Sequence, residues 1–370
     1  MKILFTGGGT LGSVMPLVAI HQKFICRDAA LPRLKEEYQS LWIGTKKGPE
    51  KDVVEKQGIE FKFISAGKLR RYFDLRNIID LFKIKFGFWQ AFFIILKFKP
   101  HVVLTAGAFV SVPVVWAAWI LRVPIIIHQQ DVKAGLANKL MAPFATKITV
   151  ALDKSLKDYN KKKTVLVGNQ VRKELVIRNK EVGGKEILNK FGLKGNLPVL
   201  LVVGGGTGAL ALNKIVINAL DELTKFCQII HVTGKGKCQS VKVSGVKNNY
   251  VQVEFLGEEI FDALEAADVV ISRAGMSFLT ELAFLKKPTI IVPIPNSHQE
   301  KNAEYLVEKE ACVYLKQKEL DKVKFVKQVK PLIDDERLQK ELGEKINKLF
   351  VDYSGEKIIK VIKQVVDSGR

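Results

Sequence analysis

Two glycine clusters carry the first chemical signal in this chain. Gly7-Gly8-Gly9-Thr10-Leu11-Gly12 follows the apolar run Lys2 to Phe5, and Gly204-Gly205-Gly206-Thr207-Gly208 follows Val199 to Val203. A buried strand that runs into glycines and then opens a helix gathers bare backbone N–H groups at a helix N-terminus. Phosphate or another anion is held at such a point. One loop of this kind also arises wherever close packing excludes a side chain. Two copies in equivalent halves predict twin doubly wound domains facing each other across a cleft, with a phosphorylated ligand on at least one side.

The elements that position these loops read as a repeat of strand, loop and helix. Strand candidates in the first half are Ile3–Thr6, Leu41–Gly44, Phe61–Ile64, Val102–Thr105, Ile125–His128, Ile148–Ala151 and Val165–Val167. After a charged break from Arg172 to Lys194 they resume at Val199–Val203, Ile229–Val232, Val251–Phe255, Val269–Ser272 and Ile290–Val292. These short runs are rich in Val, Ile and Leu and scarcely alternate, as parallel strands buried on both faces do. The expectation is an α/β protein with two parallel sheets, divided near Gly168 to Arg172. The first domain is expected over 1–167 and the second over 168–349. The tail from Leu338 to Val366 is charged with a helical pattern, and its last part, about 350–370, is expected to pack back on the first domain.

At 370 residues the chain is longer than one ordinary domain. Its formal net charge of +21 suggests a polyanionic partner: nucleic acid, an anionic membrane surface or a phosphorylated substrate. A lysine-rich surface that serves only solubility gives the same count. Cys26, Cys227, Cys238 and Cys312 are scattered without a C-x-x-C pair, which reads as reduced thiols. None of the five histidines forms an H-x-x-x-H pair, so no metal is expected. The apolar start ends at Thr6, too short for a signal peptide, and the protein is expected to stay inside the cell.

The segment from Lys68 to Lys99 departs from the repeat. Arg70, Arg71, Arg76, Lys83, Lys85, Lys97 and Lys99 are interleaved with Phe73, Phe82, Phe86, Phe88, Trp89, Phe92 and Phe93. Its longest uncharged run, Phe86 to Leu96, is well short of the ~20 residues that span a bilayer. Large aromatics mixed with basic residues on one helix suit a helix lying in the membrane interface. A core helix with a basic rim has the same composition. Nucleic acid suits it less, because the aliphatic residues would be wasted on a phosphate backbone.

Seven segments, in order, resemble the MurG family of glycosyltransferases over nearly the whole chain. Thr6 to Pro16 is similar to its first glycine loop, G-G-T-G-G-H-x-x-P, and Gly107-Ala108-Phe109-Val110-Ser111-Val112-Pro113 to its second, G-G-Y-V-S-x-P. His128-Gln129-Gln130-Asp131 stands where the family has H-E-Q-N, and Gly168-Asn169-Gln170-Val171-Arg172 where it has G-N-P-V-R. Gly204 to Ala209 corresponds to G-G-S-Q-G-A. Arg273-Ala274-Gly275 with Thr280-Glu281, and His298-Gln299 with Asn302-Ala303, complete the set.

The resemblance implies the GT-B fold, two doubly wound Rossmann-like domains facing across a cleft. It implies inverting transfer of N-acetylglucosamine (GlcNAc) from UDP-GlcNAc to an undecaprenyl-pyrophosphoryl-MurNAc-peptide (lipid I), giving lipid II for peptidoglycan, with no cofactor. The donor residues it implies are Thr10, Gly12, Arg172, Gly205, Gly206, Thr207, Ile260 at the uracil edge, Glu281 on the ribose and Gln299 on the sugar. For the acceptor's pyrophosphate it implies Gly8, Gly9, Gly107, Ser111 and Asp131. Because that acceptor is lipid-linked, Phe82, Phe86, Trp89 and Phe93, with Trp119 beside them or in the core, are expected to meet an anionic membrane surface. The expected place is the cytoplasmic face of the membrane, as a peripheral protein among other cell-wall synthesis or division proteins, with no nucleic acid bound.

The chain departs from the family where a base is needed. Ser13 replaces the first-loop histidine and Gln129 the glutamate, and neither side chain serves as a base near neutral pH. Asp131 and His128 are the remaining candidates, and Ser13 is kept in the candidate catalytic group. Two alternatives stay open: a catalytically weakened nucleotide-sugar-binding subunit, and a related glycosyltransferase with another lipid acceptor.

Overall fold

The computed structural model describes residues 1–29, 38–67, 76–178, 184–194, 197–205, 208–238 and 248–369. They form two compact units: Met1–Lys173 with Phe350–Arg370, and Glu174–Leu349. The division falls a few residues later than the sequence suggested, so Arg172 belongs to the first unit.

Among the described residues, the first unit's sheet comprises β1 (Lys2–Thr6), β2 (Gln39–Thr45), β3 (Glu60–Ile64), β4 (Val102–Thr105), β5 (Ile125–Gln129), β6 (Lys147–Val150) and β7 (Thr164–Leu166). Their order is β3-β2-β1-β4-β5-β6-β7, all parallel. Successive side chains alternate between two cores. Ile3 and Phe5 of β1, Trp42 of β2 and Val102 and Leu104 of β4 join one. Leu4, Leu41, Ile43 and Val103 join the other. Both faces are apolar and covered by helices, which is why the sequence shows unbroken apolar runs instead of alternation.

The chain's end completes the first of these cores. Helix Glu356–Ser368 contributes Ile358, Ile359, Val361, Ile362, Val365 and Val366 to the cluster around Ile3 and Phe5. Six buried aliphatic side chains represent on the order of 10 kcal/mol of gross burial. The preceding helix, Glu336–Asn347, lies in the second unit, where Lys286 Nζ binds Glu344 Oε1 at 2.8 Å.

The second unit's sheet comprises β8 (Val199–Val203), β9 (Gln228–Val232), β10 (Tyr250–Val253), β11 (Val269–Ser272), β12 (Thr289–Ile291) and β13 (Val313–Tyr314). Its order is β10-β9-β8-β11-β12-β13, again all parallel. β13 was not expected: a two-residue edge strand leaves no apolar run to read.

Each sheet has one topological switch point, between β1 and β4 in the first and between β8 and β11 in the second. Ligands of open parallel sheets bind outside the carboxyl ends of the strands flanking that point. The loops leaving those strands are Gly7–Gly12 and Gly107–Ser111 in one unit, and Gly204–Gly208 and Arg273–Gly275 in the other. Four of the seven motif segments thus occupy the two places where this topology puts ligands.

Candidate acceptor and donor sites

The first glycine loop is fastened by side chains. Glu50, wholly buried at the start of helix Glu50–Glu55, accepts the Gly9 N–H through Oε2 at 3.1 Å. Its Oε1 accepts from Thr45 N at 2.6 Å and Thr45 Oγ1 at 2.5 Å. Trp42 Nε1 donates to Gly7 O at 3.0 Å, and Gln130 Nε2 donates to Gly12 O at 2.8 Å. A Cβ on Gly9, whose φ is +78°, would stand 2.7 Å from the Phe109 ring. Thr10 and Gly12 are exposed at the loop's tip, while Ser13 is buried with an Oγ that has no partner among the described residues.

The second loop, after β4, turns through two left-handed residues, Gly107 at φ +99° and Ala108 at φ +89°. Thr105 Oγ1 accepts the Gly107 N–H at 3.1 Å, and Ser111 Oγ donates to Gly107 O at 2.8 Å. Ser111 was expected to face the acceptor's pyrophosphate. It is wholly buried and its hydroxyl braces the loop. The Gly9 N–H is likewise committed, to Glu50, so Gly9 serves by its conformation and not as an open donor.

The segment leaving β5 separates the candidate bases. His128 is wholly buried, with Nδ1 3.0 Å from Thr149 Oγ1 and Nε2 3.1 Å from Asn169 Oδ1. Burial holds its pKa down at about 4. The imidazole is held neutral with both nitrogens engaged inside the sheet, an arrangement that favours Asp131 over His128 as the base. Gln129 is also buried. Its Oε1 accepts from Asn138 Nδ2 and, at 2.9 Å, from Tyr159 Oη, while its Nε2 donates to Asp131 O at 2.8 Å. Position 129 is therefore a brace for the following turn. Asp131 is half-buried at the end of that turn, its carbonyl also accepting from Ser155 Oγ at 3.2 Å.

In the second unit the loop after β8 is shaped by main chain. A Cβ on Gly204 would lie 2.5 Å from Ala209 N, and one on Gly208 would lie 2.1 Å from Thr233 O. Gly208 N donates to Gly205 O at 2.8 Å, closing a turn with positive φ at both glycines. Helix Leu210–Asn218 starts directly afterwards. Gly206 and Thr207 lie outside the described residues.

The loop after β11 is braced by Arg273, which sequence reasoning quoted only as part of a motif. Its guanidinium is buried and donates to Val292 O at 2.8 Å, Pro293 O at 3.0 Å and Gln317 Oε1 at 2.7 Å. Asn302 Nδ2 donates to Ala274 O at 3.0 Å, holding the same turn from helix His298–Glu308. Glu281 is buried on helix Met276–Phe284. Gln299 is half-buried, with Oε1 accepting the Ile294 N–H at 3.2 Å, and Ile260 is half-buried in the first turn of helix Glu259–Ala266.

Helix Arg76–Phe98 presents an apolar stripe to solvent. Phe82, Phe86, Trp89 and Phe93 are 70, 60, 48 and 64 % exposed, at the i, i+4, i+7, i+11 spacing of one helical face. Ile84, Ala91 and Ile95 on the other face enter the core. Lys83, Lys85 and Lys97 are exposed along the stripe. Trp119 is also exposed, its ring 5.0 Å from that of Phe144. The residues 68–75, with Arg70, Arg71 and Phe73, lie outside the described residues. No helix among the described residues is long and apolar enough to cross a membrane.

The model of the glycosyltransferase family 28 N-terminal domain matches residues 3–150, and that of the family 28 C-terminal domain matches residues 199–358. A Clostridium kluyveri protein named UDP-N-acetylglucosamine–N-acetylmuramyl-(pentapeptide) pyrophosphoryl-undecaprenol N-acetylglucosamine transferase is 42% identical over 294 residues, 79% of each chain. A Clostridium tetani protein of the same name is 40% identical over 339 residues, 90% of each chain. The chain belongs to the MurG family. Among solved structures, Acinetobacter baumannii MurG superposes with a TM-score of 0.73 at 22% identity, covering 98% of this chain and 99% of that one. An S. aureus MnaA–UDP co-structure gives a TM-score of 0.71 at 17% identity, covering 99% of this chain and 97% of that one. These likenesses establish the GT-B fold. Membership of the MurG family comes from the sequence relatives, since a fold of this kind hosts several chemistries.

Proposed function

We propose that this chain transfers GlcNAc from UDP-GlcNAc to the MurNAc of an undecaprenyl-pyrophosphoryl-linked peptide acceptor, converting lipid I to lipid II. The observation that carries this is that the motif loops shared with relatives of that name stand at both switch points. The acceptor is assigned to the first unit and the nucleotide to the second, together with Thr10, Gly12 and Arg172 of the first.

The acceptor hydroxyl attacks the anomeric carbon as the bond from that carbon to the UDP oxygen breaks, inverting the configuration. Asp131 takes the hydroxyl proton; a positioned base of this sort is worth about 10²–10⁴-fold. The negative charge that develops on UDP is met by backbone N–H groups of the Gly204–Gly208 loop and the positive end of helix Leu210–Asn218. Glu281 is assigned to the ribose hydroxyls, Gln299 to the sugar and Ile260 to the uracil edge.

The stripe of Phe82, Phe86, Trp89 and Phe93 is assigned to the cytoplasmic leaflet of the membrane that carries the acceptor. Each flanking lysine adds about 1 kcal/mol of attraction to anionic lipid. The weakened-subunit reading drew on Ser13 and Gln129. The buried, fully engaged Gln129 removes half of that motive, because the side chain at 129 is a brace and its amide form performs that task.

The test is radiolabelled sugar transfer to a lipid I analogue, with UDP-GlcNAc and UDP-glucose in parallel. Lipid-linked product from UDP-GlcNAc is expected. Binding of UDP-GlcNAc without transfer, or preferential transfer of glucose, rules the assignment out.

A further inference from the structure

We propose that Glu50 is a positioning residue for the lipid-linked acceptor, fixing the first glycine loop in the shape that meets the acceptor's phosphates. The proposal rests on the acceptor reading above and names what sets that loop's shape.

The chain clears space for this one carboxylate on two sides. A Cβ at Gly8 would lie 2.2 Å from Glu50 Oε1 and at Gly48 1.8 Å from Oε2. Gly48 lies outside every motif that pointed to phosphate. The carboxylate is buried, and each of its oxygens is occupied. Oε1 takes the Thr45 N–H and hydroxyl at the end of β2, and Oε2 takes the Gly9 N–H after β1. One side chain therefore ties together the turns that leave two adjacent strands.

A buried carboxylate is retained only where donors satisfy it, and charge-assisted bonds of this kind are short and directional. The commitment of the Gly9 N–H has a consequence for binding. It fixes the loop's course through Leu11–Ser13 into the start of helix Met15–Ala29, the stretch assigned to the acceptor's phosphates. The donor nucleotide is expected to meet this loop only through Thr10 and Gly12, its other assigned residues lying mostly in the second unit, so it depends less on this device.

The isosteric variant Glu50→Gln isolates it. Whichever way the amide turns, its NH2 opposes either the Gly9 N–H or the two Thr45 donors, and the loop is released with little change in volume. The measurement is the KM for a lipid I analogue and the KM for UDP-GlcNAc, determined separately, with a thermal melt of each protein. Glu50→Gln is expected to raise the acceptor KM about tenfold or more and the donor KM, which depends on this loop only through Thr10 and Gly12, by clearly less. Thr45→Val, which removes one hydroxyl donor and leaves the backbone N–H, is expected to raise the acceptor KM about threefold.

An unchanged acceptor KM in Glu50→Gln, or an equal rise in both KM values, overturns the positioning role. If Glu50→Gln does not fold, Thr45→Val decides, and an unchanged acceptor KM there overturns it too. A wild-type protein that transfers no sugar sinks the functional reading and this proposal with it. A wild-type protein that transfers normally beside an unaffected Glu50→Gln sinks this proposal alone.

Discussion

At position 8 a side chain is excluded by the carboxylate of Glu50 and at position 9 by the ring of Phe109; at 204 and 208, in the other unit, it is excluded by backbone atoms of Ala209, Thr233 and Gly234. The two loops look alike in sequence and follow equivalent strands. In the first, glycine is demanded at 8 by a side chain from the helix after β2 and at 9 by one from the loop after β4. In the second it is demanded by main chain, at 204 by Ala209 at the loop's own end and at 208 by the exit of β9. A side-chain-fastened loop can be retuned by substitutions elsewhere, which suits a site that must meet a bulky lipid-linked acceptor. A main-chain-fastened loop is a fixed cradle, which suits a diphosphate.

The two units' carboxylates give the largest test of that division. Asp131→Asn is expected to lower kcat by about 10²–10⁴-fold with the UDP-GlcNAc KM unchanged. Glu281→Gln is expected to act in the opposite sense, raising the UDP-GlcNAc KM. Steady-state kinetics on both variants checks the pair. Full turnover by Asp131→Asn removes Asp131 as the base and leaves the first unit a binding surface only.

Next comes stability at the glycines themselves. Gly208→Ala places a methyl 2.1 Å from Thr233 O at φ +70° and is expected to cost about 3 kcal/mol or more. Gly205→Ala, at φ +88° but with open space around it, is expected to cost only about 1–2 kcal/mol. Gly8→Ala clashes with Glu50 alone, so its penalty is expected to shrink in a Glu50→Ala background, with a coupling of about 1–3 kcal/mol. Denaturant melts of the single and double variants measure this. Additivity of Gly8→Ala and Glu50→Ala collapses the distinction between the two loops.

The comparison also marks what was legible in the sequence. Apolar runs gave nearly all the strands, because strands buried on both faces have no freedom to be polar. β13 escaped, because Val313 and Tyr314 pair with β12 over only two residues. The amphipathic end of the chain was readable as a helix, and its return to the first unit was an expectation from that pattern. Only the structure supplies the reason, a sheet face around Ile3 and Phe5 otherwise left bare. Glu50 went unnoticed because a glutamate after Pro49 at a helix start reads as an ordinary first-turn carboxylate. The enclosure of His128 was hidden in the same way. Its partners Thr149 and Asn169 are 21 and 41 residues away, so no local pattern announces that its ring is enclosed.

Buried histidines also distinguish the units in acid. His21 and His128 in the first and His231 in the second are each held down at about 4, chiefly by burial. Each is neutral in the folded protein, whereas in the unfolded chain it protonates near its ordinary value of about 6.5. Folded pKa values below the unfolded ones mean that the unfolded state gains more protons on acidification. Their contribution is intact above pH ~6.5 and is lost as the pH falls from there to about 4. At pH 5 each is expected to cost about 2 kcal/mol, so the first unit is the more acid-labile. Urea melts at pH 7.5 and 5 check this, and His128→Gln is expected to flatten the acid dependence. An unchanged slope in that variant means that the ring is protonated in the folded state.

The smallest effect concerns the loop after β4, where the two units differ in how they meet positive φ. In the second unit the left-handed positions among the described residues of the loop after β8 are glycines, Gly205 at +88° and Gly208 at +70°. In the first, Gly107 at +99° is followed by Ala108 at +89°, an alanine in backbone space that disfavours a Cβ by about 1–2 kcal/mol. The turn persists because Thr105 and Ser111 pin Gly107 from both sides and Phe109 is packed over Gly9. The strain is thus opposed by side chains, as the fastening of the first glycine loop is. Ala108→Gly relieves it and is expected to stabilise the protein by about 1 kcal/mol, somewhat less than the full strain because glycine also loosens the unfolded chain. A thermal melt decides the matter. A Tm that falls on this substitution means that the Ala108 methyl contributes more by packing than its backbone loses, and the first unit's loops then depend on side chains even at the residue where the turn alone would favour glycine.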